Sequence, residues 1–510
     1  VVVVVVTLAA CGKVEPKPDA AGAFTVALEP ANLFIRRGET KMVAVTVTRD
    51  ANFTGDVSIT GVGLPGGVAA AALDIPEGST TGMLMLTASG SALEGIAASS
   101  VSGSGGGASS AADLRLVVGG PPGAVDLSFA GDGTFTTSVP GMVLISRALT
   151  LQTGGGIIVT GSTATQAITA RIADNGTLDT TFGGAGFVST GVGAFSEGIA
   201  VTTLADGKVL VAGVAGGPGG ASDNDFGIFG YSKDGVLDTT FGASGVAAFD
   251  PGVGFGELHT ITVAADGSMF VGGTLFPNGA GTLTTRGLRY SATGIRDATY
   301  NISETNVVVE SSLVQADGKL VMSGALSGDF WLARYNTNGG HDAGFGSAGV
   351  VTTNFAPDTT NAFSVISVAG GKLLAVGIGT AGTPPNKHIV LARYNGNGSL
   401  DLSFGIGGKV TTGVAFDTRS PSGAILDGTG KILMVGVVGG RPSVARLAPD
   451  GTADATFGTA GVATIDFGVA GTTSQTGGYG IAIDADNRII FAGEVGPAGG
   501  QQMAVGRLWP

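Results

Sequence analysis

The chain has 510 residues, 92 of them glycine, with 13% charged residues, a formal net charge of −13 and a sequence pI of about 4.6. That much glycine starves long helices, the apolar content excludes global disorder, and the acidic balance leaves a polyphosphate without a basic patch to bind, so nucleic acid is not an expected partner. Short strands joined by tight turns are the expectation, and the fold class is all-β.

The chain opens on "VVVVVVTLAACGKVEPKPD", a short apolar run that ends in small residues before the single cysteine, Cys11. One cysteine allows no intrachain disulfide. It stands beside a charged, proline-rich stretch that can bury nothing, which weakens the alternative of a small buried hydrophobe. Leu8-Ala9-Ala10-Cys11 resembles the bacterial lipobox, which implies a diacylglyceryl group on the Cys11 thiol and cleavage before it. The positive segment of a signal peptide is missing, so residues 1–11 read as the end of a lipoprotein signal. The resemblance also implies, through Gly12 in place of an aspartate, the outer membrane or cell surface rather than inner-membrane retention. Residues 12–22 form a tether reaching at most roughly 35 Å. No other stretch approaches ~20 apolar residues, so the expected link to the membrane is an anchor and not a span.

Residues 23–118 alternate with period two. In "MVAVTVTR", Val43, Val45 and Val47 share one face. About seven short strands are expected here, with the Gly/Ser run Ser102–Ser110 as a loop or unfilled hairpin. The valine-threonine strands and the Gly-Leu-Pro-Gly-Gly turn resemble bacterial surface Ig-like modules, implying an Ig-like β-sandwich.

Residues 119–510 are repetitive. Seven hairpin starts, among them "DGKVLVAG", "DGKLVMSG" and "DNRIIFAG", are each followed by a strand such as "LARY" or "VARL". Seven Asp-x-x-Phe-type elements carry Asp126, Asp179, Asp238, Asp297, Asp342, Asp401 and Asp454. The two series are out of phase: the array opens on an Asp-x-x-Phe element and ends on "GRLWP" without one. Complementary ragged ends suit a ring whose first strand completes its last unit, and seven units of about 55 residues suit a seven-bladed β-propeller. An open β-solenoid is the alternative. The unit "ADGKLVMSGALSGDFWLARYNTNGGHDAGFGSAGVVTT" resembles the delta-60 repeat of bacterial surface and secreted proteins, a resemblance that implies no particular reaction. Two units depart from it, with Gly230 in place of Arg and Tyr300-Asn301 in place of Phe-Gly.

Arg and Asp recur eight residues apart at Arg171/Asp179, Arg289/Asp297, Arg334/Asp342, Arg393/Asp401 and Arg446/Asp454. Their repetition reads as a hairpin staple rather than a ligand site. A ligand site belongs where the units differ, on the strand leading into each hairpin. There Arg147, Glu197, Glu257, His259, Glu310 and Tyr479 are the candidate ligand-binding residues, converging on the propeller axis if that strand is innermost. Solvated strand ends are the alternative. No nucleophile elbow, metal-spaced histidine pair or phosphate loop is present, so no catalytic residue, metal or cofactor is expected.

The resulting expectation is a lipid-anchored bacterial cell-envelope protein, most simply a non-enzymatic binding or display platform. Its partners would be the membrane, through Cys11, and an envelope glycan or protein. The rival is an envelope hydrolase or lyase acting on carbohydrate or peptide at the axis, using carboxylates such as Glu257 and Glu310.

Overall fold

The computed structural model describes residues 23–137, 145–216, 224–250, 255–276, 281–381, 386–416, 423–469, 478–497 and 500–510. Leu8, Ala9, Ala10, Cys11 and the tether lie outside them. Every regular element among the described residues is a β-strand, and none of these residues forms a helix long and apolar enough to cross a membrane. The chain divides into two compact units, residues 1–119 and 120–510.

The first unit is a two-sheet sandwich. One sheet takes the strands Phe24–Glu29, Thr40–Arg49, Thr81–Ala88 and Val68–Ala70; the other takes Asn32–Arg36, Ala108–Gly119, Gly95–Gly105, Val57–Val62 and Leu73–Ile75. Alternation sends Val43, Val45, Val47, Leu84 and Leu86 of the first sheet into one core with Ile35, Val57, Ile59, Leu114 and Leu116 of the second. The Gly/Ser run corrects the expectation of a loop or unfilled hairpin. Gly95–Gly105 and Ala108–Gly119 pair along their whole length as the two longest strands of the unit, turning at Gly106-Gly107. Steric crowding explains the glycines: a Cβ on Gly103 would meet Val26, Phe24 and Val57 at 2.9–3.0 Å, and one on Gly105 would lie 2.3 Å from the Asp56 carbonyl oxygen.

The second unit contains seven four-stranded antiparallel groups among the described residues, two of which join through a single parallel bridge between Asn224 and Phe255. Six run consecutively along the chain, the first being Ile145–Leu151, Ile157–Ser162, Ala167–Ile172 and Phe187–Thr190. The seventh is assembled from both ends: Gly478–Ile483, Ile489–Val495 and Gln502–Leu508 receive Thr134–Thr137 as their fourth strand. Each group's first strand packs against that of the next, and the seventh packs against the first, which closes the series. A closed ring removes the sheet edges an open array would expose.

The repeated residues build the frame. Arg171 donates from Nε to Asp179 at 2.7 Å, and Arg334/Asp342, Arg393/Asp401 and Arg446/Asp454 repeat the bond at 2.7–2.8 Å, with Arg289/Asp297 paired likewise. Each aspartate also caps its own turn, as where Asp179 accepts from the Thr181 hydroxyl at 2.6 Å. The guanidinium lies over the ring of the following Phe, 4.4 Å from the centroid for Arg446 over Phe457 and 4.5 Å for Arg393 over Phe404. Backbone bonds then stitch neighbours together, from Gly183 N to Asp234 O at 2.8 Å, Gly346 N to Asn397 O at 2.8 Å and Gly458 N to Pro122 O at 3.0 Å.

The two departing units differ in what they lose. Gly230 leaves Asp238 without an arginine, so it keeps only the lysine bond, from Lys208 Nζ at 3.0 Å, that Lys319, Lys372 and Lys431 make to their aspartates beside the arginine. Where Tyr300-Asn301 replaces Phe-Gly, a ten-residue strand, Arg296–Thr305, runs through the position, although Asp297 still accepts from Thr299 N at 2.9 Å.

Candidate functional site

In six of the seven groups the described part of the first strand carries one irregularity. Its register against the second strand slips between Ser146 and Ala148, Gly198 and Ala200, Leu258 and Thr260, Val309 and Ser311, Ala362 and Ser364, and Gly478 and Gly480. The extra residue is therefore Arg147, Ile199, His259, Glu310, Phe363 or Tyr479. A bulge leaves its residue unpaired and re-aims its side chain, so six equivalent positions hold six different side chains on a repeated backbone. The sixth group's equivalent, Ser422, and its neighbour Ser420 lie outside the described residues, as does the side chain of Tyr479.

Five of the six candidates are linked electrostatically. Arg147 Nε donates to Glu197 Oε1 at 2.6 Å across the first and second groups, and the Ser162 hydroxyl reaches the same oxygen at 3.3 Å. Glu197 is 5% exposed. Burial pushes the Glu257 carboxyl above its ordinary range; the Glu197 charge reinforces this, Arg147 opposes it and Glu310 adds to it. His259 and Glu257 share one strand, with Nε2 and Oε2 3.8 Å apart. Burial, and then the Arg147 charge, lowers the His259 pKa to about 4, so its ring is neutral at pH 7. Its Nε2 is buried without a hydrogen bond.

Glu310 completes the set from the fourth group. Burial raises its pKa, against a 2.9 Å hydrogen bond from Asn361 Nδ2. Asn361, on the fifth group, has its Oδ1 buried and unbonded. Asn361 holds the place on its strand that Glu197 and Glu257 hold on theirs, two residues before the bulge, but an amide carries no signal of its own in the sequence. Ser162 lies on a second strand, where no alignment of first strands would find it. The cluster thus combines a neutral imidazole, an ion pair and two carboxyl groups biased toward protonation. Such groups can accept and donate hydrogen bonds to a polar ligand.

The remaining histidines stand apart, His341 against Glu304 at 2.7 Å and His388 against Asp358 at 2.8 Å. Among the described residues no group of three or more His, Cys, Asp or Glu could hold a metal ion. Asp484 and Asp486, in the "DADN" turn, are bound by Arg488 at 2.6 and 3.3 Å. A polar cavity of about 410 Å³ opens elsewhere, between the turns of the first two groups, lined by Gln152, Arg171, Asp206 and Lys233. Arg171 is already committed there to Asp179, to Gln152 at 3.0 Å and to the Lys233 carbonyl at 2.7 Å.

Repeated four-stranded groups joined through a shared seventh define an all-β repeat protein of the β-propeller type. Three stretches of the second unit, 315–345, 371–404 and 428–457, match the family model described as "Domain of unknown function (DUF5122) beta-propeller". No curated protein matches the chain. Among solved structures, apo prolyl oligopeptidase B from Galerina marginata is 12% identical, with a TM-score of 0.36, over 69% of this chain. The chain spans 48% of the length of that oligopeptidase. The endo-arabinase from Bacteroides thetaiotaomicron is 9% identical, with a TM-score of 0.29, over 62% of this chain and 93% of its own. Domains 5–6 of the S-layer protein SbsC are 12% identical, with a TM-score of 0.15, over 42% and 92%.

Proposed function

We propose that the chain is a lipid-anchored protein of the bacterial cell envelope, in which an Ig-like module carries a seven-bladed propeller that binds a ligand at its axis without transforming it. Seven four-stranded groups with first strands in cyclic contact support the blade count. The two-sheet packing of residues 23–119 supports the Ig-like module, and Leu8-Ala9-Ala10-Cys11 supports the anchor, on the outer membrane or cell surface.

One observation carries the binding role. The frame repeats from group to group, whereas the bulge residue changes each time, and the polar ones gather in a single cluster. A repeated backbone with unrepeated side chains suits recognition of one asymmetric ligand. An envelope glycan or peptide fits the hydrogen-bonding character of the cluster.

A thermal-shift screen of the full chain against cell-wall fragments, oligosaccharides and peptides tests this. At about a hundredfold excess over Kd a specific ligand adds roughly 2.7 kcal/mol. The shift should vanish in Glu257→Ala and Glu310→Ala and survive in Leu402→Ala, on the exterior. A shift indifferent to the axial substitutions would move the binding role elsewhere.

The hydrolase reading draws on the raised pKa of Glu257, which suits a general acid. Release of reducing ends or new amino groups from a bound ligand, lost in Glu257→Gln, would establish it.

A further inference from the structure

The outer face of the four-stranded sheet in the first unit carries side chains that the sandwich core does not use. Alternation in Thr40–Arg49 and Thr81–Ala88 sends valines and leucines inward, so the residues between them face out. Three of those outward positions are methionine: Met42, Met83 and Met85 are 58%, 53% and 41% exposed. The other methionines whose burial is described, Met269, Met322, Met434 and Met503, are at most 1% exposed. Burial is where a flexible apolar side chain ordinarily contributes.

Register places the three exposed ones together. Met42 lies directly opposite Met85, and Ala44 opposite Met83. Three thioethers and one methyl therefore mark the corners of a single cross-strand quartet. Threonine pairs flank it on the same face, Thr40 with Thr87 and Thr46 with Thr81. Opposed Cβ atoms in such pairs are about 4.5–5.5 Å apart and diagonal ones about 7–8 Å. Methionine has three rotatable bonds, so the three sulfurs can reach a common centre above the sheet, and Ala44 leaves that side open.

We propose that Met42, Met83 and Met85 form a thioether site for a soft monovalent metal ion, Cu(I). A thioether is a neutral, polarisable donor that selects Cu(I) and gives magnesium or calcium little to bind. It has no proton to lose, so occupancy does not depend on deprotonating a ligand as a thiolate or imidazole site does. Binding transfers no electron, since the ion arrives and remains as Cu(I).

The test uses the full chain carrying Cys11→Ser, which removes the competing thiol, titrated anaerobically against the Cu(I)–bicinchoninate complex. The chain should withdraw one equivalent of Cu(I), and Met42→Leu/Met83→Leu/Met85→Leu should withdraw none while keeping the parent's denaturation midpoint. Ag(I), a redox-inert stand-in, should move three methionine methyl resonances in the parent. No withdrawal by the Cys11→Ser chain, or equal withdrawal by the triple variant, overturns the proposal. So does an Ag(I) shift confined to other methionines.

Discussion

Arg507 donates from Nε to Asp126 at 2.6 Å across 381 residues of sequence. It is the same bond that Arg171 makes to Asp179 eight residues away. The backbone repeats too: Asp126 N bonds to Arg507 O at 2.9 Å as Asp179 N bonds to Arg171 O at 2.9 Å, and the guanidinium of Arg507 covers Phe129 at 4.8 Å. The two ends of the second unit thus meet through the staple that elsewhere spans one turn. Ring closure uses no special chemistry, only the repeat read across the termini.

This closing pair should be the most costly staple to break. Asp126 and Arg507 are 0% and 1% exposed, and Arg507 has further contacts to Asp174 and Ser128. Asp126→Asn removes the charge facing a buried guanidinium, which typically costs about 3–5 kcal/mol. Asp297→Asn, at a partly exposed pair, should cost clearly less. Urea denaturation of the two variants checks the order. Equal losses would mean that closure is no more sensitive than any internal turn.

The second group should resist regaining even part of the consensus side chain. Where other units place an arginine, Phe241 has closed over Gly230, and a Cβ there would lie 2.6 Å from the Phe241 ring. Gly230→Ala should therefore destabilise by about 1–3 kcal/mol, as overpacking of a core does. A neutral or stabilising result in thermal denaturation would show that Phe241 can move aside.

Much of the frame was legible because its residues recur at fixed spacing: Arg, Asp and Phe announce the staple, and Asp-Gly the hairpin turn. The ragged ends were legible for the same reason, since Asp126 lacked an arginine before it and Arg507 an aspartate after it. The polar cluster on the first strands was legible only in part. Glu197, Glu257, His259 and Glu310 stood out as unlike residues at like positions, but a bulge is a mismatch between two strands and leaves no mark on either alone. The lysines that join the staple, Lys208 to Asp238 and Lys319 to Asp342 among them, were not legible as its partners, because the pairs lie 30 and 23 residues apart and form only when the sheet does. The Ser102–Ser110 run misled because glycine in a strand can record a close neighbour as well as a loop, and Phe24, Val26 and the Asp56 carbonyl are remote in sequence.

That close approach can be tested directly. Gly105→Ala puts a methyl 2.3 Å from a backbone oxygen that has no rotamer to escape into. The variant should lose about 1–3 kcal/mol, whereas Gly107→Ala, at positive φ with open space around it, should lose only the backbone strain of about 1 kcal/mol. Thermal denaturation of the two alanine variants distinguishes steric crowding from turn strain. A larger loss at Gly107 would assign the run's glycines to the turn and not to packing.

Acid should act on the fold first through His259. Its pKa falls from 6.5 in an unfolded chain to about 4 in the folded one, because burial and the Arg147 charge disfavour the imidazolium. Between those values the unfolded state binds a proton that the folded state refuses, so stability drops as pH falls from about 6.5 to about 4, by on the order of 3 kcal/mol in full. Glu257 and Glu310 act in the opposite direction. Burial raises their pKa values, so their stabilising contribution is complete at low pH and is lost as pH rises through the folded values. The frame aspartates respond only in stronger acid: a lysine hydrogen bond is the first cause lowering Asp342, to about 2, and Asp401 below its usual range, so their contribution is lost as pH falls below about 4. His259→Gln removes the first of these effects and leaves the others. Its denaturation midpoint should decline less than the parent's between pH 6.5 and 4. Parallel declines would mean that His259 does not hold its neutral, buried state in the folded protein, and that the acid response originates elsewhere in the fold.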